Sequence, residues 1–157
     1  MNRIVKIFIV VFASVVAMLG ACRAADLGVA NFTFNAAHRE MPVQALVWYP
    51  ASTGRFAESV GGDAVFQGVK AFRNAKPAGA KHRLVIISHG AGGNAANLGW
   101  ISSRLVDAGF VVVGLNHPGS TSGDSTPETN IEMWKRPQDL TRRIRARRAR
   151  PARHIGR

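Results

Sequence analysis

The chain has 157 residues, enough for one domain with a core of its own and too few for two. Apolar residues make up 46% and charged residues 19%, which argues against wholesale disorder. The net charge of +12 sits at the two ends: residues 26–141 hold ten Lys or Arg and all nine acids, so the body is nearly neutral and offers no basic face for nucleic acid.

In chain order, the first feature is Arg3 and Lys6 ahead of an apolar run from Ile7 to Leu19, followed by the small residues Gly20, Ala21, Ala24 and Ala25. This is the build of a secretory signal peptide over residues 1–24. The run falls short of the roughly 20 apolar residues of a spanning helix. Cleavage after Ala24 and lipidation of Cys22 within Leu19-Gly20-Ala21-Cys22 are both compatible with it, and each route leads out of the cytoplasm. Cys22 is the only cysteine, so no internal disulfide can form. Such a domain must be stable through packing alone.

Pro42–Tyr49 reads as a strand ended by Pro50. Gly61-Gly62-Asp63 reads as a turn, Ala64–Val69 as a short strand, and Lys76–His82 as a connector. Leu84–Ser88 is a continuous apolar run rich in β-branched residues, the pattern of a strand covered on both faces, which predicts a buried Ser88. A glycine-rich turn follows, His89-Gly90-Ala91-Gly92-Gly93. Asn94 or Asn97 then caps a helix with apolar residues at Leu98, Ile101, Leu105 and Val106, and Gly109 stops it. Phe110–Leu115 is a second apolar strand, so residues 84–115 form a right-handed βαβ unit. The class is α/β with a mostly parallel sheet. Residues 116–136 form a polar loop, and Arg136-Pro137 opens another helix.

The glycine turn has three readings. As an oxyanion hole of the HGGG type, it would use the Ala91 N–H as donor, with Gly90 and Gly92 letting a substrate carbonyl approach. As G-x-G-x-x-A it could hold a dinucleotide, but that site wants an acid after the next strand, and Asn116 stands there. It could also be a plain tight turn.

Three segments together, Leu84–Gly93 (LVIISHGAGG), Phe110–Asp124 (FVVVGLNHPGSTSGD) and Trp134–Leu140 (WKRPQDL), resemble bacterial predicted dienelactone hydrolases. These are α/β-hydrolases related to platelet-activating-factor acetylhydrolases. The resemblance covers roughly residues 26–141. It implies an extracytoplasmic serine hydrolase of small esters or lactones, without metal or cofactor. Asn116 departs from the acid often found before His-Pro-Gly in that family.

Such an enzyme needs a serine on a Gly-x-Ser-x-Gly elbow, then an acid and a histidine. No such elbow occurs: Gly119-Ser120-Thr121-Ser122-Gly123 has Thr121 at its centre and follows a loop. His89 and His117 lie at strand ends, where structural hydrogen bonding is the common role, and His154 stands in a tail without acids. None of the three is taken as a general base. Residues 142–157 hold eight Arg and no acid. Such a switch suits an out-of-frame read of GC-rich coding sequence, and such dense like charge favours disorder. The expectation is therefore an incomplete hydrolase sheet, cut before its nucleophile strand, inactive as it stands and prone to self-association through the bared edge of Leu84–Ser88. The alternative is a non-catalytic secreted binding protein or lipoprotein fragment.

Overall fold

The computed structural model describes residues 25–54, 56–79 and 81–148, with the backbone alone for 142–148. The proposed signal segment, Cys22 and residues 149–157 with His154 lie outside the described residues. Six strands form one sheet: β1 (Asp26–Phe34), β2 (Val43–Ala51), β3 (Ala57–Val60), β4 (Val69–Arg73), β5 (Arg83–Ser88) and β6 (Phe110–Asn116). Their spatial order is β3-β4-β1-β2-β6-β5. Helices α1 (Gly99–Asp107), α2 (Pro127–Asn130) and α3 (Lys135–Arg148) complete the set.

The sheet is mixed, which corrects the mostly parallel sheet expected from the sequence. β1 and β2 pair antiparallel from Asp26↔Ala51 to Phe34↔Val43, β2 pairs antiparallel with β6, and β3 with β4. Parallel pairing is confined to β1 with β4 and β5 with β6. Short links make hairpins of β1–β2 and β3–β4, while the segment between β5 and β6 carries a helix and lets those two strands run parallel.

The strand expected at Ala64–Val69 is also corrected, since β4 begins at Val69. The Asp63 carboxylate accepts the Val65 and Phe66 N–H groups at 2.8 and 2.7 Å, which curls that segment into a turn and leaves both apolar side chains exposed. Asp63 is consequently held below the ordinary carboxylate range, through the Phe66 and Val65 N–H groups first and Asn97 next. The predicted helix divides into a 3-10 turn, Ala96–Leu98, and α1. Asn94 Oδ1 accepts the Asn97 N–H at 2.9 Å within the turn, but the N-cap residues are Ala95 for the 3-10 turn and Leu98 for α1, neither with a side-chain cap, which corrects the cap expected at Asn94 or Asn97. Gly109 ends the helix at φ 86°, a conformation open to glycine.

Side chains alternate across the sheet into two cores. On one face Val29, Leu46, Trp48 and Val112 are buried with Val106 of α1, and Val85 and Ile87 pack against them. On the other face Val43, Ala45, Val113 and Leu115 are buried, with Leu140 of α3 against them. Helices on both faces leave β5 beside β6 alone, at the end of the strand order. Among the described residues nothing pairs with its outer side.

That edge carries Leu84, 38% exposed, and a row of backbone donors and acceptors. Concentration-dependent association is expected in sedimentation velocity, and Ile86→Lys should weaken it by placing a charge on the edge. A monomer at every concentration with a sharp cooperative melt would contradict this.

Candidate active site

The glycine turn sits at the C-terminal end of β5, where open parallel sheets place their ligands. The polar loop after β6 is stitched to it. The Gly92 N–H donates to Ser120 O at 3.1 Å, the Ser122 N–H to Gly93 O at 2.8 Å, and Gly93 bridges to Thr121. The Gly93 N–H closes the turn on Gly90 O at 3.1 Å. The Gly92 N–H is thus committed, and Gly92 serves the turn through its φ of 68°. The N–H groups of Gly90 and Ala91 meet no acceptor among the described residues, and both residues are exposed. A Cβ at Gly90 would meet nothing within 4 Å.

Asn116, at the end of β6, turns its Oδ1 to the Ala95 N–H at 2.7 Å. Its side chain is spent on closing the turn, which leaves the dinucleotide reading without its ribose acceptor.

Arg136 sits at 9% exposure. Its guanidinium donates to His89 O at 3.1 Å and to Ser120 Oγ, clamping both loops. His89 is buried, with its Nδ1–H on Gly90 O at 2.7 Å. Burial pushes the His89 imidazole below its ordinary value against that opposing hydrogen bond, and the neighbouring His117 and Arg136 push it the same way. A neutral His89 serves here as a structural clip.

The loops place a second set of side chains together. Ser88, expected to be buried, is exposed, because β5 is an edge strand rather than a central one. Its Oγ lies 2.8 Å from His117 Nε2. His117 is fully buried, and its Nδ1 lies 2.8 Å from Asp139 Oδ2. Asp139, on α3, is fully buried as well. Arg39 grips it with Nε on Oδ1 at 3.1 Å and Nη2 on Oδ2 at 2.7 Å, and His38 Nε2 meets Oδ1 at 2.7 Å. Burial alone would raise the Asp139 carboxyl. Hydrogen bonds from His117, Arg39 and His38, with the Arg39 charge, outweigh it and hold the group far below the ordinary range.

No family model matches the sequence, and no curated protein matches it. Among solved structures, the chain is similar to a ferulic acid esterase from Streptomyces cinnamoneus, with a TM-score of 0.65 and 20% identity over 85% of this chain and 49% of that one. The chain spans about half the length of that esterase. The likeness is one of fold: a mixed α/β sheet compatible with that of an esterase.

Proposed function

We propose that the end of β5 is the acyl-binding half of an esterase-type site, acting on small carboxylic esters or lactones. The observation that carries this reading is the glycine turn, whose exposed residues Gly90 and Ala91 leave their N–H groups unclaimed among the described residues, with open space beside Gly90. Two such donors fit the negative oxygen of a tetrahedral intermediate, and they are already fixed in place by the stitched loops. Residue by residue, Ala91 N–H is the main donor and Gly90 lets the carbonyl approach, while Gly92 shapes the turn. The resemblance to dienelactone hydrolases and the fold of the ferulic acid esterase support the same class. The sequence, which lacks a Gly-x-Ser-x-Gly elbow, predicts an inactive chain; the two fixed donors favour instead a residual turnover, far below that of a complete hydrolase, because they still stabilise the oxyanion formed by attacking water. Residues 1–24 fit export from the cytoplasm, by signal cleavage or by lipidation at Cys22.

The test is release of the chromophore from a short-chain nitrophenyl ester by the full chain and by Ala91→Pro, which removes one donor. Release above buffer is expected, reduced by about 100-fold or more in the variant, the usual cost of one oxyanion donor. Release at buffer level, or equal release by both proteins, would overturn the reading.

A further inference from the structure

The sheet face that packs under α1 is apolar through Val29, Leu46, Trp48 and Val112, and it turns polar further along the same strands. There Thr33 of β1 stands opposite Gln44 of β2, and Gln44 opposite Asn116 of β6, which sets three polar side chains in one row across neighbouring strands. Two cavities meet at this row, and all three residues line both. One, of about 470 Å³, extends toward Ser59 and Arg73; the other, of about 370 Å³, toward Met41, Pro118 and residues 121–124. Gly61, where a Cβ would collide with the Ala96 carbonyl, closes a wall of the first.

The hydrogen-bonding capacity of the row is largely unspent. Asn116 Oδ1 accepts the Ala95 N–H at 2.7 Å, and its Nδ2 has no acceptor among the described residues. The Gln44 amide and the Thr33 hydroxyl have no partner among them either, and both residues are exposed, so a ligand reaches them from solvent. Charge, by contrast, is spent. Arg73 pairs with Glu58 and donates to Asn31 Oδ1 at 3.3 Å. Both Asp124 oxygens accept backbone N–H groups, from Gly119 at 2.9 Å and from Thr121 at 2.8 Å. The cavities therefore offer donors and acceptors without an uncommitted ion, beside the apolar surface of Leu46, Met41 and Pro118.

We propose that the two cavities form a binding site for a neutral polyhydroxylated ligand, a short oligosaccharide whose successive rings sit on either side of the Thr33–Gln44–Asn116 row. A hydroxyl both donates and accepts, so it matches an amide that presents an N–H and a carbonyl side by side. The C–H faces of a sugar ring pack on Leu46, Met41 and Pro118. A carboxylate or phosphate ligand needs a free cation and an ammonium ligand a free acid, and neither cavity supplies one. Both volumes lie within the ordinary range of small-molecule sites. Thr121 and Ser122, tied to Gly93 by a bridge and by the Ser122 N–H at 2.8 Å, form the cavity wall on the side of the glycine turn. The sugar site is thus separate from the Gly90 and Ala91 donors, and it holds whether or not they act on an acyl group.

The experiment titrates the full, isotope-labelled chain with cellobiose, maltose and lactose in turn and follows the side-chain amide signals of Gln44 and Asn116 by NMR. A saturable shift of both signals with at least one disaccharide is expected, while acetate leaves them unmoved. In Gln44→Ala, the Asn116 signal should report an apparent Kd raised about 10-fold, the worth of about two hydrogen bonds. Gln44 is exposed, and backbone signals away from the row, unchanged in the variant, show that it is folded. No saturable shift with any of the three sugars, a response to acetate in their place, or an equal Kd in Gln44→Ala sinks the proposal. Release of the nitrophenyl chromophore should be the same in Gln44→Ala as in the parent, so the sugar site and the ester site fail independently.

Discussion

Replacing Asp139 with Ala is expected to lower the unfolding free energy by about 3–5 kcal/mol, the loss typical when one member of a buried charged pair is removed. Asp139 is fully buried and holds three side chains: His38, Arg39 and His117. Arg39, whose side chain is only 7% exposed, would keep its bond to Pro118 O at 3.1 Å and lose its counter-charge. Since small domains are stable by about 5–15 kcal/mol in total, the variant should unfold at much lower urea. The same carboxylate gives a pH signature. Its folded-state pKa is depressed, so its contribution is fully present above the unfolded value of about 3.9 and is lost as pH falls below that toward the folded value. The parent should therefore lose stability more steeply below about pH 4 than Asp139→Ala does. Parallel acid profiles, or an unchanged urea midpoint, would show that the carboxylate is not ion-paired as described.

The second large effect is expected at Trp48, a fully buried residue at the centre of the core beneath α1. Trp48→Ala should cost about 3–5 kcal/mol, from lost burial and the cavity left behind. Its indole ring fits closely: a Cβ at Gly99, the first residue of α1, would lie 3.4 Å from it. Yet the indole Nε1 has no hydrogen-bond partner among the described residues. Trp48→Phe removes that unpaired donor along with part of the ring, so the two effects oppose and a much smaller loss is expected. Urea denaturation of both variants checks the contrast. Equal losses would mean that the indole N–H is satisfied after all.

The elements read most directly from the sequence are those whose pattern is decided locally. Leu84–Ser88 and Phe110–Leu115 are unbroken apolar runs, and Gly109 marks the end of the helix between them. β1 escaped because Asp26–Phe34 (DLGVANFTF) interrupts its alternation with Gly28 and Asn31, and its identity as a strand comes from pairing along all of β2. Short β3 and β4 depend in the same way on each other.

The candidate site divides along the same line. The glycine turn is a local motif and was legible. Ser88, His117 and Asp139 each stand in one of the three motifs singled out, but 29 and 22 residues separate successive members. Their meeting requires α3 to dock on the face of the sheet that carries Leu115, a fact of packing that no short pattern encodes. The exposure of Ser88 was misjudged for a related reason: an apolar run does not tell a central strand from an edge strand.

The chain of contacts that ends on Ser88 begins 101 residues away from Asp139 in sequence, at His38. It joins the connection between β1 and β2, the end of β6 and the first turns of α3. Loop closure over such separations comes at an entropic cost that local elements do not bear. The β1–β2 hairpin and the β5–α1–β6 unit can each form early, whereas the His38–Asp139–His117–Ser88 series exists only once all three regions have docked. The Ser88–His117 contact therefore keeps time with the last step of folding: a partly assembled chain holds its members apart, and the completed one alone brings them together.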